Sequence, residues 1–356
     1  MKNDIITAKV RGGRNSSVEL FRIVAMLFVL ICHFNGWFLG GISDIHDSTV
    51  SLEQRIGQTF IQSCGLVCVN CFIIISGWFG LKFTFMRVWR MWAILVCLII
   101  PFDILSLFVC SNPTFKITTF IRDFCAFPAF SYYIQDYMLL MFFSPLFNLF
   151  INKYREKALG YALMLWMIEF GLESIFNCDT VFINNGYSLF HFILMYLLSR
   201  SLYFHQDKLK MIGKKKWIAL YMLCALLISF LSLTPYEHTW GYSNPIAIIE
   251  SFALFFFFLS FHFHSRKVNW IASSTFAVFI LHCQSPIINV CRKVDNYVMD
   301  TYSYGQYLFI IGFFIIIVFF FCISIDKLRI YFVNPYFEKI GSCLNSKLSK
   351  YFIYDN

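Results

Sequence analysis

Charged side chains are scarce in this chain. Asp, Glu, Lys and Arg together supply 14% of its 356 residues, against about 25% in a soluble globule. Length alone would suggest two or three soluble domains, but an apolar content of 59% overrides that reading. A clustered basic region is also missing. The net charge of +9 is spread between apolar stretches, which excludes a nucleic-acid partner. No short apolar core followed by small residues marks a cleavable signal, so the first apolar stretch is expected to be retained. The 13 cysteines show no Cys/His spacing that would hold zinc. Most of them, such as Cys64, Cys68, Cys71, Cys97, Cys224 and Cys322, sit within apolar stretches and read as small buried hydrophobes, so no metal is expected. Gly12-Gly13 is too short to be a phosphate loop, and no internal repeat or low-complexity linker is evident.

What the chain has instead is long apolar sequence. A helix needs about 20 such residues to cross the hydrocarbon core. Ten stretches qualify, at roughly 18–40, 57–80, 88–110, 132–151, 158–176, 187–204, 217–234, 246–263, 270–290 and 306–325. They predict an all-α fold: a polytopic membrane helix bundle of about ten transmembrane helices. The basic residues orient it. With both termini cytoplasmic, 24 of the 29 Lys and Arg fall on the inner side, the bias seen in cytoplasmic loops. The expected organisation is a cytoplasmic basic tail at 1–15, a membrane domain at 16–326 and a cytoplasmic C-terminal tail at 327–356. That last tail mixes aromatic and basic residues and is expected to lie along the membrane surface, held by anionic lipids.

The first stretch, RNSSVELFRIVAMLFVLICHFNGWFLG, carries Glu19, Arg22 and His33. Ionisable groups are costly in lipid and normally face a bundle interior or a wet cavity. Arg22 and His33 stand 11 residues apart, three helical turns, so they share one face about 16 Å apart. That distance is comparable with a phosphopantetheine arm. An Arg at the inner mouth suits a coenzyme A phosphate, because its planar fork makes paired charge-assisted bonds. Glu19, one turn earlier, is placed to orient the guanidinium. A lone His in such a helix also suits a plain interhelical hydrogen bond, and spacing alone leaves both readings open.

At these residues the chain resembles the acyltransferase-3 family of integral-membrane acyltransferases, whose first span carries an Arg, ten residues and a His. The resemblance runs from about 14 to 325. It includes NCFIIISGWF (70–79), Arg87 and Arg90 after it, YYIQDYMLLMFFSPLFNLF (132–150), NPIAIIESFALFFFF (244–258) and SSTFAVFILH (273–282). Tyr132-Tyr133 stands where Trp is common, and Phe279 where Tyr is usual. The resemblance implies transfer of an acyl group, usually acetyl from acetyl-CoA as co-substrate, to a carbohydrate hydroxyl. It assigns His33 as the catalytic residue, with Arg22, Arg87 and Arg90 on the donor side beside the Glu19 that spacing places there; Arg87 and Arg90, one turn apart, equally suit plain positive-inside topology. A neutral imidazole suits proton removal from a sugar hydroxyl, and equally an acyl relay.

His282, Glu169, Glu173, Gln135 and Asp136, with Glu250, lie in or beside apolar stretches. They are candidates to line an acceptor cavity or to bond between helices. His262 and His264 read as interfacial. The expected partners are acyl-CoA, a carbohydrate or lipid-linked glycan acceptor and membrane lipids, and the expected location is the bacterial cytoplasmic (inner) membrane. A rival reading is a transporter or flippase of a polyprenyl-linked sugar or small anion. It predicts matched, Gly/Pro-broken halves, which are not apparent, and no release of free coenzyme A from acetyl-CoA.

Overall fold

Backbone polar groups in hydrocarbon must be satisfied within the chain, which favours helices. The computed structural model describes residues 15–36, 50–109, 117–125, 128, 131–176, 180, 183–234 and 237–348. Among them there are sixteen α-helices, one short 3₁₀ turn at Glu237–Trp240 and no strand. In chain order these are α1 (Ser16–Asn35), α2 (Leu52–Gly65), α3 (Cys68–Phe79), α4 (Phe85–Val109), α5 (Ile117–Phe124), α6 (Tyr132–Lys153), α7 (Ala158–Phe176) and α8 (Leu189–Tyr203). They continue as α9 (Gln206–Lys210), α10 (Lys214–Ser232), α11 (Pro245–Leu259), α12 (Arg266–Ala272), α13 (Thr275–Leu281), α14 (Ser285–Thr301), α15 (Tyr304–Phe332) and α16 (Asn334–Leu348).

Polar residues mark the helix starts. Asn15, Ser51, Ser131, Ser188, Asn244 and Ser265 each accept a hydrogen bond from a first-turn backbone N–H. Ser51 with Gln54, and Ser303 with Gln306, form capping boxes.

By length and composition seven segments can cross a membrane: α1, α2 with α3, α4, α6, α7, α10 and α15. An eighth arises if α12–α13 and α14, bent by 86° at a short break, count as one span. The stretches at 187–204 and 246–263 fall on α8 and α11, apolar helices of 15 residues each. At 1.5 Å per residue each runs about 22 Å, short of a hydrocarbon core about 30 Å thick. The chain is a multi-pass membrane protein. Its basic tail, but for Asn15, lies outside the described residues. The boundary drawn at 326 falls inside α15, which runs on to Phe332.

The first helix is the hub. It packs against α2, α3, α11, α12, α13 and α15. Phe21, Ala25, Met26, Leu30 and Phe34 are all buried. The Phe21 ring meets Phe255 and Phe258 of α11, and Phe34 meets Phe314 of α15 edge-on. Beside it α3 and α8 approach closely. A Cβ on Gly77 would lie 2.7 Å from the Tyr196 carbonyl oxygen, so only glycine allows that contact, and Ser199 Oγ donates to Ile74 O at 2.7 Å.

Candidate active site

The N-terminus of α1 is stitched in place before any functional side chain appears. Asn15 Oδ1 accepts from Ser17 N and Ser17 Oγ. Ser16 Oγ donates to Asn269 Oδ1 of α12 at 2.9 Å and accepts from Ser265 N at 2.8 Å. One turn on, Glu19 is buried and its Oε1 accepts from Arg22 Nη1 at 2.9 Å. Arg22 is thus tied to the carboxylate one turn before it.

At the far end of the same face, His33 Nδ1 lies 2.8 Å from His282 Nε2. The hydrogen-bond pattern assigns the protons. His282 Nδ1 lies 2.8 Å from Val278 O. A carbonyl only accepts, so Nδ1 of His282 carries the hydrogen. In the neutral ring Nε2 is then the acceptor, and His33 Nδ1 must donate to it. The lone pair of a neutral His33 therefore sits on Nε2. A buried neighbour that fixes one ring nitrogen of a His decides which nitrogen does chemistry.

Between Arg22 and the histidine pair lies a cavity of about 380 Å³. Arg22, Arg87 and Arg90 line it at one end, and Tyr133, Tyr137 and Phe279 face it further in. It reaches Val29, one turn before His33, and Phe279, three residues before His282. The Phe279 ring centroid lies 5.9 Å from that of His282 and 5.1 Å from that of Tyr133. Ser76 also lines the cavity, bonding Phe72 O and the Tyr137 hydroxyl at 3.0 Å each.

The remaining sequence candidates divide. Arg87 reaches back to Lys82 O at 3.1 Å. Arg90 is held by both oxygens of Glu338 on α16, at 2.7 and 2.9 Å. Gln135 Nε2 donates to Pro128 O, and neither Gln135 nor Asp136 lines the cavity. Glu169 and Glu173 are buried elsewhere. Glu173 accepts from Gly186 N and from Ser243 Oγ. Glu169 Oε2 meets His191 Nδ1 at 3.1 Å, and His191 Nε2 meets Asn70 Oδ1 at 2.9 Å. Asn70 Nδ2 donates to Tyr242 O, so Oδ1 is its acceptor and His191 Nε2 carries a hydrogen. One further proton is then shared between His191 Nδ1 and Glu169. Sequence reasoning passed over His191, Tyr137 and Cys283. Only their place beside Asn70, Ser76 and His282 in the folded chain singles them out.

The chain matches the acyltransferase-3 family, an acyltransferase domain, over residues 15–328. It belongs to that family. No curated protein and no solved structure matches it. The family match spans α1 to most of α15 and so includes Arg22, His33, the cavity and His282. This acyltransferase-3 chain is a membrane acyltransferase.

Proposed function

We propose that the chain moves an acetyl group from cytoplasmic acetyl-CoA to a sugar hydroxyl of a cell-surface polysaccharide or its lipid-linked precursor. We place it in a bacterial inner membrane with ten crossings and both ends in the cytoplasm. The observation that carries the reading is the His33–His282 bond on the helix that also carries Arg22, beside an arginine-lined cavity that reaches Val29, one turn before His33, and Phe279, whose ring packs on His282. Coenzyme A carries phosphates at one end and a thioester at the other. Arg22, aimed by Glu19, suits the phosphates, and the length of α1 between Arg22 and His33 suits the arm.

The chain's own residues then do simple chemistry. Nε2 of His33 takes the hydroxyl proton as the sugar oxygen attacks the thioester carbonyl. The tetrahedral intermediate expels the thiolate, which receives that proton from His33. His282 holds the ring and stabilises the transient imidazolium by accepting its Nδ1–H. In the relay version Nε2 itself takes the acyl group and yields it to the sugar. Both versions need the same lone pair in the same place.

The test is acetyl transfer by purified protein in vesicles, read as free coenzyme A released in the presence of glycan acceptor. His33→Ala should insert normally and release none. Full activity in that variant overturns the proposal. Acetylation of surface glycans in cells with and without the protein identifies the acceptor.

A further inference from the structure

The pair of imidazoles has a third neighbour that acyl transfer does not use. Cys283 lies in the turn between α13 and α14. Its Sγ is 3.4 Å from His282 Nε2, the atom that faces His33. Donor atoms of His33, His282 and Cys283 all lie within 4.8 Å of one another. We propose that these three side chains form a zinc site, and that zinc bound there switches acyl transfer off; the second half rests on the function proposed above.

The donor set decides the metal. Two imidazole nitrogens and a thiolate suit zinc and disfavour magnesium or calcium, which take oxygen. Tetrahedral bonds of about 2.0–2.1 Å to nitrogen and about 2.3 Å to sulfur place donors about 3.3–3.6 Å apart. The edge from sulfur to His282 already has that length, and the edge from sulfur to His33, within 4.8 Å, closes to it as the Cys283 side chain turns. The nitrogen–nitrogen edge of 2.8 Å needs to open by about 0.5 Å to reach it. The outer support is present too. A zinc-bound imidazole usually donates its other N–H to a carbonyl or carboxylate, and His282 Nδ1 does so to Val278 O. Three protein ligands leave a fourth position for water. The cavity ending at Phe279 approaches the site from the arginine side.

Proton bookkeeping explains the switch. Zinc takes the lone pairs of His33 Nδ1 and His282 Nε2, so the hydrogen between them must leave. In neutral His33 it moves to Nε2, while Cys283 releases its thiol proton to water. Nε2–H has no lone pair. It can neither accept a hydroxyl proton nor take an acyl group. Zinc occupancy and acyl transfer are therefore mutually exclusive at His33.

The experiment uses full-length protein in detergent, stripped with a chelator and titrated with Co²⁺ as a spectroscopic stand-in for zinc. One Co²⁺ per chain should bind with a thiolate charge-transfer band, and Zn²⁺ should displace it. Cys283→Ala should lose the band and bind Zn²⁺ at least tenfold more weakly. Cys343→Ala, an exposed thiol on α16, should keep both. In parallel, Zn²⁺ should inhibit acetyl transfer by the wild type at concentrations at least tenfold below those needed for Cys283→Ala, each relative to its own zinc-free rate. An unchanged band and affinity in Cys283→Ala, or no band in the wild type, overturns the site. Bound zinc with undiminished transfer overturns the switch. Intact binding in a protein that transfers nothing without zinc overturns the function and leaves the site standing.

Discussion

An imidazole that accepts a proton must keep its lone pair on the side facing the donor. In His33 that choice is made by His282, which is itself pinned by Val278 O. His282→Ala should therefore lower kcat about 100-fold, the lower range of acid–base contributions, with KM for acetyl-CoA unchanged. Steady-state transfer assays separate the two constants, and a pure KM effect would assign His282 to the donor instead. Arg22 belongs to binding. Arg22→Gln should raise KM for acetyl-CoA about tenfold or more, since a hydrogen bond to a charged group contributes about 1.5–3 kcal/mol. Arg22→Lys should recover part of that, because a lysine keeps charge but loses the paired geometry. The Arg22–His33 face was legible in sequence because one helix fixes it. The partner of His33 was not, since Val278 and His282 lie about 250 positions away in sequence and only packing of α13 on α1 joins them.

At the scale of elements, the surprise is α16. Its composition read as a surface tail, and the structure adds a landing place for it on α4. Trp89 Nε1 donates to Phe337 O at 2.8 Å, and a Cβ on Gly341 would lie 2.4 Å from Trp89 Cδ1. Gly341→Val should lift α16 from α4, seen as faster amide exchange across 334–348. The Arg90–Glu338 pair is largely exposed, so its loss in Glu338→Gln should cost under about 1 kcal/mol. Hydrogen bonding from Arg90 holds the Glu338 carboxyl below its ordinary value of 4.5. A depressed carboxylate contributes fully above its ordinary value and loses that contribution as pH falls through the depressed one. The pair's contribution to amide protection of α16 should thus be full and independent of pH near neutrality, and protection should fall, after correction for the intrinsic exchange rate, only under acid conditions below about 4.5. Tertiary contacts of this sort are invisible to periodicity, which registers an amphipathic helix but not its landing place. At α8 and α11, likewise, apolar sequence runs on past the helix that it forms.

Across the whole molecule, composition was enough to read a membrane bundle, and ordered motifs enough to read the family. Polar networks were harder. Glu169 and Glu173 share a helix face, as an acceptor-binding pair would, but the fold turns them toward α8 and the segments at 183–188 and 241–244. Glu169, His191 and Asn70 tie α7, α8 and α3 together with no exposed atoms at Glu169 or His191. Removing one member of such a buried pair costs about 3–5 kcal/mol. Glu169→Ala should therefore lower the unfolding temperature in detergent while leaving transfer per folded molecule intact; weakened acceptor affinity instead would return Glu169 to the substrate. The 86° elbow between α13 and α14 has its own consequence. Open helix ends cannot face acyl chains, so α4 and α15, which pack on both pieces, and α1, which packs on α13, must wall the corner off from the bilayer. Small water-soluble alkylating reagents should consequently label Cys283 by way of the arginine mouth, whereas spin quenchers dissolved in the lipid tails should miss it.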